Sequence, residues 1–342
     1  MQHIKEELLP SAILHIVVHL IPLTLVSWFV LSVGGSNDIL MIILFGLLLT
    51  ALVIIVELLR GVNLVISLFN IRWISHENDS QIYSMVKGLA NKYQVIIDKI
   101  GIIELDSPNA FVVSSFRGKP ILLFTRGLIY NLNFSELQAI TIYLLGYAQH
   151  DLLPIVTMLS GLQSIGTKLS MDYLDSSVKK RKAGVTKTIL AGWGYLLFSA
   201  FNTQTINSGK LMIQEAEAKT NELLENPAAM ITGLLKISHL LDAQHESFMR
   251  TGLISLKALM FQDPTIAVQD SIKVKEILNH YNIKIEKLLY HTPSNPIKYS
   301  EMKQHMFEKY LIHKGIEERI KKIIEISTKK GSKIIFGFNK VN

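Results

Sequence analysis

Two long runs of apolar positions occupy the first sixty residues of the chain. Residues 8–37 contain no Asp, Glu, Lys or Arg, and residues 39–56 contain none either. Each run is close to the roughly 20 residues with which a helix crosses a hydrocarbon layer of about 30 Å. With the polar turn at residues 34–38, the pattern predicts a helical hairpin that spans a membrane. A cleaved signal peptide is the alternative, but its apolar segment is shorter and needs no second helix.

Beyond the hairpin, the hydrophobic pattern changes to short elements. Apolar residues recur at helical spacing over residues 80–93, which predicts an amphipathic helix. A second helix begins near Ser135, which we expect to be its N-cap. Between these helices, short apolar runs separated by turn residues predict a small antiparallel sheet. The three runs are residues 100–105, 110–115 and 120–125.

Two further apolar stretches, residues 152–167 and 188–201, are short for spanning helices, and the basic cluster 179–182 lies between them. If both stretches crossed the membrane, this cluster would lie outside, against the rule that cytoplasmic loops carry the excess of Lys and Arg. A shallow or re-entrant hairpin would instead keep the cluster in the cytoplasm. The residues leave both arrangements open.

These patterns divide the chain into four parts. The loop of the first hairpin has no Lys or Arg, whereas Arg60 and Arg72 follow the second apolar run. The same charge rule therefore places the following part in the cytoplasm. The tail at 314–330 alternates Lys, Glu and Ile and predicts a solvated amphipathic helix. The parts are an N-terminal transmembrane hairpin (8–60), a first domain segment (61–150), a second hydrophobic hairpin (151–205) and a helical remainder with the C-terminal tail (206–342).

Composition narrows the functional classes. The formal net charge is +7, yet only 18% of residues are charged, below the roughly 25% of soluble domains. No nucleic-acid-binding motif accompanies the positive charge, so we expect a membrane surface and no nucleic acid as its partner. The absence of cysteine excludes disulfides and thiolate metal sites.

Four motifs follow one another in the middle of the chain: IYSMVKGLA at 82–90, DSPNAF at 106–111, TRGL at 125–128 and ELQAI at 136–140. In order and spacing they resemble the HtpX family of membrane-bound zinc metallopeptidases, relatives of the CAAX prenyl proteases. The resemblance implies a zincin-like cytoplasmic domain in the bacterial inner (cytoplasmic) membrane. It also implies two crossings by the second hydrophobic pair and a zinc endopeptidase activity in membrane protein quality control.

The next helix lacks the zinc motif that this resemblance implies. In His-Glu-x-x-His, two histidines one helical turn apart bind zinc and the glutamate activates a water molecule. Here Tyr143, Leu144 and Tyr147 stand at those positions. A phenol with a pKa near 10 binds zinc poorly, and Leu144 cannot act as a general base. We therefore expect no catalytic residue, no metal ligand and no cofactor, with the tyrosines packed into the metal cavity.

The third zinc ligand of the family is a glutamate on a later helix, which corresponds to segment 212–219. If the register is fixed by Asn226-Pro227, Ile213 stands at the ligand position and Glu217 replaces the aspartate of the family motif. If the register is fixed by Glu-Ala-Glu-Ala, Glu215 is the remnant ligand. The residues leave both registers open.

Other ionisable residues are weaker candidates for metal binding. His245-Glu246 begins like a zinc motif, but Met249 stands where the second histidine belongs. His15 and His19 lie one turn apart in the first apolar run, where they could share a metal or a proton. The remaining candidates, most of which we expect to have solvated or capping roles, are His76, His150, Asp151, His239 and His291.

The sequence thus predicts a mainly α fold with a small antiparallel sheet, in a multi-pass membrane protein with a zincin-like cytoplasmic domain. As its function we expect an HtpX-like pseudo-protease that binds polypeptide segments or a partner membrane protease in the lipid bilayer. The strand beside Asn109 is the expected peptide-binding edge, because strand pairing needs no metal. The alternatives are an active zinc metalloendopeptidase with relocated ligands and a structural membrane subunit.

Overall fold

The computed structural model describes residues 2–35, 38–116, 118–178, 185–242, 253–280 and 315–329 of the chain. His245, Glu246, Met249, His291 and the basic cluster 179–182 lie outside these residues. Within the described ranges the chain is mainly helical, with a small sheet and two short 3₁₀ helices at Leu253–Leu259 and Pro264–Ile266. The α-helices are α1 (Gln2–Val33), α2 (Ile39–Ile66), α3 (Ser80–Lys92), α4 (Arg126–Asn131), α5 (Phe134–Ala148), α6 (Leu153–Val178), α7 (Val185–Leu223), α8 (Pro227–Asp242), α9 (Ala267–His280) and α10 (Ile316–Lys329).

The apolar helices α1, α2, α6 and α7 pack side by side. Helices α2 and α6 are in close contact at Gly61, where a methyl group would lie 2.8 Å from the Cα of Met158. Gly161 on α6 faces the same point, since its own methyl would lie 3.2 Å from the Gly61 carbonyl oxygen. Small residues at a crossing allow two helix backbones to touch, as is common between membrane helices.

Among the described residues, α2 is the one helix whose length and composition suit a membrane crossing. The other apolar stretches, His19–Val33 in α1 and Leu153–Ile165 in α6, are shorter. Helices α1 and α2 pack against each other, whereas the predicted transmembrane hairpin with its double crossing stays a prediction. Many large apolar side chains of α2 face outward, namely Ile39, Leu40, Met41, Ile43, Leu44, Leu47, Leu48, Leu52, Ile55, Val56 and Leu59.

Helices α6 and α7 both extend beyond the apolar stretches predicted for them. If both cross the membrane, a cysteine introduced at Ser177 is expected to react with an impermeant thiol reagent in intact cells. The chain has no cysteine of its own, so the label reports this position alone. Ser36→Cys in the first hairpin loop is the external control and Tyr130→Cys the internal one. Protection of position 177 until lysis would show that the second pair does not cross.

The sheet has four strands in the order β1-β2-β4-β3, and it is mixed rather than antiparallel as the sequence predicted. Strand β4 forms a hairpin with β3 and inserts beside β2, with which it runs parallel. The direction of β2 relative to β4 depends on this insertion, which no local pattern encodes. The three predicted runs contain β2, β3 and β4, whereas the sequence analysis did not predict β1. The strands are β1 (Ile71–Trp73), β2 (Ile100–Ile103), β3 (Ala110–Val113) and β4 (Ile121–Thr125).

The predicted helix at 80–93 is confirmed as α3. The N-cap of α5 was predicted at Ser135, but the cap is Asn133. Its side-chain oxygen accepts from the Glu136 backbone N–H, and the Glu136 carboxylate accepts from the Asn133 N–H, each at 2.9 Å. This reciprocal capping box satisfies two amide groups that have no partner within the helix. Glu136 also pairs with the buried Lys236 at 2.8 Å, which ties α5 to α8.

Candidate site around Tyr143 and Tyr147

Helix α5 lies at the centre of the domain and packs against α3, α7, α8 and β3. Tyr143 and Tyr147 stand one turn apart on it, 1% and 0% exposed, with hydroxyl oxygens 3.0 Å from each other. Leu144 is fully buried as well. Gly146 lets α5 approach α7, because a methyl group there would lie 2.5 Å from the Thr220 hydroxyl. The side chains of Tyr143, Leu144 and Tyr147 are therefore part of a packed interface between helices.

Helix α7 brings Glu217 to the tyrosine pair. The Tyr143 hydroxyl donates to the Glu217 carboxylate at 3.2 Å. Ile213, one turn earlier, is buried on the same helix. The side chain of Glu215 is 48% exposed and lies 2.9 Å from His150. Of the carboxylates left open by the sequence, the structure brings Glu217 to the site and places Glu215 outside it.

Helix α10 supplies a cation that the sequence did not predict. Arg319 is 3% exposed, and its Nε lies 2.9 Å from the Glu217 carboxylate. The guanidinium carbon lies 5.2 Å from the ring centre of Tyr143 and 5.0 Å from that of Phe261, within the range of cation–π attraction. The Arg319 guanidinium N–H groups also donate to the Phe261 carbonyl oxygen and to the side-chain oxygen of Gln262. The tail predicted as solvated is thus docked on one face, through Ile316, Ile320 and Ile323 as well as Arg319.

The electrostatics of this cluster do not fit a zinc ion. Burial, and next the charge of Glu217, raise the pKa of Tyr143 well above its ordinary value. Burial and the neighbouring Tyr143 do the same for the pKa of Tyr147. Both phenols therefore stay protonated, and the charge of Glu217 is matched by Arg319. Among the described residues, no group of three His, Asp or Glu side chains is arranged to hold a metal.

The outer edge of β3 is paired with another part of the same chain. Phe111 forms an antiparallel bridge with Met260, and the Phe261 N–H donates to the Ala110 carbonyl at 2.8 Å. The Asn109 amide donates to the Gln262 carbonyl at 2.8 Å and accepts from the Gln262 N–H at 3.2 Å. Residues 260–262 thus occupy the edge at which the sequence predicted that a peptide would bind.

Asp270 on α9 joins the cluster to the start of α10. Its carboxylate accepts from the Ile316 N–H at 3.0 Å and from the Gln262 side chain at 2.6 Å. Burial raises the Asp270 pKa to about 6, and the nearby Asp263 adds to the rise, whereas the Ile316 bond and Arg319 oppose it. The carboxylate is therefore destabilised in the folded protein relative to the unfolded chain.

This pKa predicts a pH dependence with a definite sign. Between pH 4 and 6 the folded protein holds a proton on Asp270 that the unfolded chain has already released, so this contribution to stability falls as pH rises. Asp270→Asn has no such proton, and we expect it to gain stability relative to the parent protein between pH 4.5 and pH 7. Urea unfolding at both pH values measures this, with the exposed Asp98→Asn as control. If the difference in unfolding free energy between Asp270→Asn and the parent protein were the same at both pH values, the expectation would be contradicted.

The structure separates the other predicted candidates. His19 lies 3.0 Å from Glu57 of α2, with both side chains largely buried, whereas the side chain of His15 is not among those described. His76 packs edge-on against Tyr83, and Asp151 is exposed. Burial lowers the pKa of His239, and Lys275 adds to this effect. None of these residues belongs to the cluster on α5.

Arg319, Gln262 and Asp270 are the site residues that the sequence did not reveal. The one available signal was a single arginine among the lysines of the tail. Arginine is the cation best suited to a buried, planar ion pair. Its position opposite Glu217 depends on how α10 docks, which the residue pattern does not determine.

The chain is similar to a curated protein described as "Protease HtpX homolog" from Methanothermobacter thermautotrophicus. The two are 26% identical over 136 residues, which is 40% of this chain and 50% of the relative. The chain thus matches about half the length of that relative. No protein-family model matches the chain, and no solved structure matches it. This partial similarity supports at most an HtpX-like relationship.

Proposed function

We propose that this chain is a membrane-anchored, HtpX-like homologue that does not hydrolyse peptides with zinc and acts instead by binding. The observation that carries the proposal is the ion pair of Arg319 and Glu217 against Tyr143 and Tyr147. In this proposal the domain has a zincin-like arrangement and faces the cytoplasm, with α2 crossing the membrane. Its partners are polypeptide segments or a membrane protease engaged in quality control.

The guanidinium group replaces the metal electrostatically. A buried carboxylate needs a positive partner, which a zinc ion supplies in an active metallopeptidase. Here Arg319 supplies it, and a zinc ion bound to Glu217 would face a fixed positive charge at short range. Leu144 removes the second requirement, because it cannot take a proton from a water molecule. Both arguments oppose the metallopeptidase alternative at this site.

The binding role that we propose uses strand exchange at β3. An extended polypeptide can form the same backbone hydrogen bonds as residues 260–262, and Asn109 offers it a side-chain donor and acceptor. The segment held by the chain itself then competes with the partner, which makes binding weaker and reversible. Unfolded segments of membrane proteins, which expose unpaired backbone, have the required chemistry.

The purified protein is expected to contain no stoichiometric zinc and to bind unfolded casein without cleaving it. Elemental analysis measures the zinc, and fluorescence anisotropy of labelled casein measures the binding. The variant Tyr143→Phe/Tyr147→Phe is the matched control, since it removes both phenols and should leave the zinc content unchanged. About one zinc per chain, together with cleavage that a chelator stops, would refute the proposal. Intact casein that does not bind would refute its binding role alone.

A further inference from the structure

The loop between β3 and β4 lies near the end of the apolar part of α2. The Ser114 N–H donates to the Thr157 hydroxyl of α6 at 3.2 Å. The next residue of α6, Met158, is the one in closest contact with Gly61 of α2. Gly61 directly follows Arg60, the first basic residue after the apolar run. Ser114 is therefore held at the depth where a crossing by α2 would meet the lipid headgroups.

The same loop has a rigid base and an aromatic tip. The Ser114 hydroxyl lies 3.1 Å from the carbonyl oxygens of both Ser115 and Gly118, which closes the turn. At its tip the Phe116 side chain is 55% exposed, although the residues of β3 before it are fully buried. Two residues reach at most about 7 Å, so Phe116 cannot lie far from the depth of Ser114.

Positive charge and a second apolar side chain accompany Phe116. Lys119 is exposed at the end of the loop. The Pro120 carbonyl that follows accepts from the Asp98 N–H at 2.9 Å. This bond brings in the neighbouring turn, where Ile96 is 67% exposed. Exposed aromatic and aliphatic side chains beside a lysine are typical of surfaces that rest on anionic lipid.

We propose that the loop between β3 and β4 is a membrane-contact loop, in which Phe116 enters the interfacial layer and Lys119 faces anionic headgroups. This inference rests on the proposed crossing by α2, which brings the loop to the bilayer. The partner is the lipid surface, because Phe116 lies at the depth of the headgroups and no partner of the chain covers it in the described residues. The contact would fix the tilt of the domain, and with it the distance of the β3 edge from the membrane.

An environment-sensitive fluorophore on Phe116→Cys tests the loop, since the chain has no cysteine of its own. The protein is placed in nanodiscs that contain phosphatidylglycerol and lipids with a quencher near the headgroup. We expect blue-shifted emission and strong quenching at position 116, and a loss of quenching when Lys119→Glu is added. Tyr130→Cys on α4, which is 72% exposed at the opposite end of β4, is the matched control and should report water.

A label on Leu48→Cys, an exposed position in the middle of α2, separates the two proposals. Quenching at Leu48 by a deep quencher, with emission at Phe116 equal to that at Tyr130, would overturn the membrane-contact loop and leave the crossing of α2 standing. An aqueous signal at Leu48 would refute the crossing itself and the loop with it. Quenching at Phe116 that is unaffected by Lys119→Glu would refute the role of the lysine.

Discussion

Replacement of Arg319 by Ala is expected to lower the free energy of unfolding by about 3–5 kcal/mol, the usual loss when one partner of a buried ion pair is removed. Glu217 would then remain as a buried carboxylate without a cation, because its other partner among the described residues is the neutral Tyr143 hydroxyl. The substitution also removes the stacking on Tyr143 and Phe261. Urea unfolding in detergent micelles, followed by tryptophan fluorescence, measures the loss.

The double variant Arg319→Met/Glu217→Leu separates the charge from the packing. If the loss comes from an unpaired charge, removal of both charges should restore much of the stability that either single change costs. Lys321→Ala is the matched control on the same helix, because Lys321 forms an exposed pair with Glu317 at 2.7 Å. Such pairs are worth at most about 1 kcal/mol. A loss for Arg319→Ala no larger than that of Lys321→Ala would show that the buried pair does not stabilise the fold.

Zinc binding should return only when Arg319 is removed together with the tyrosines. We expect the quadruple variant Tyr143→His, Leu144→Glu, Tyr147→His and Arg319→Leu to bind about one zinc per chain, with Glu217 as the third protein ligand. The triple variant that keeps Arg319 should bind none, because the guanidinium holds the Glu217 carboxylate at 2.9 Å. Elemental analysis after gel filtration, with competition by a chelator for affinity, measures both.

Two controls decide which glutamate completes the restored site. Addition of Glu217→Gln to the quadruple variant should abolish zinc binding. Glu215→Gln should leave it unchanged, since that side chain lies at the surface against His150. The opposite pattern would assign the ligand position to Glu215. If the triple variant bound zinc as tightly as the quadruple one, Arg319 would not be the group that excludes the metal.

The elements that follow a strong local pattern were predictable from the sequence. The period of the apolar residues predicted α3, and the charge-free run predicted α2. The short apolar runs predicted three of the four strands. The absence of a His-Glu-x-x-His sequence at residues 143–147 was also visible in the sequence. Each of these features depends on residues that are close in sequence.

The direction of β2 against β4, the burial of Glu217 rather than Glu215 and the partner of β3 were decided only by the tertiary structure. Two carboxylates two residues apart lie on different sides of a helix, so the docking of α7 on α5 selects the one that is buried. The burial of Arg319 follows from that choice. An uncompensated carboxylate inside the domain is costly, and the cation that neutralises it comes from α10, far along the chain. The sequence by itself determined that Tyr143, Leu144 and Tyr147 stand together on one helix, and the packing of distant helices determined that Glu217 and Arg319 lie against the tyrosines.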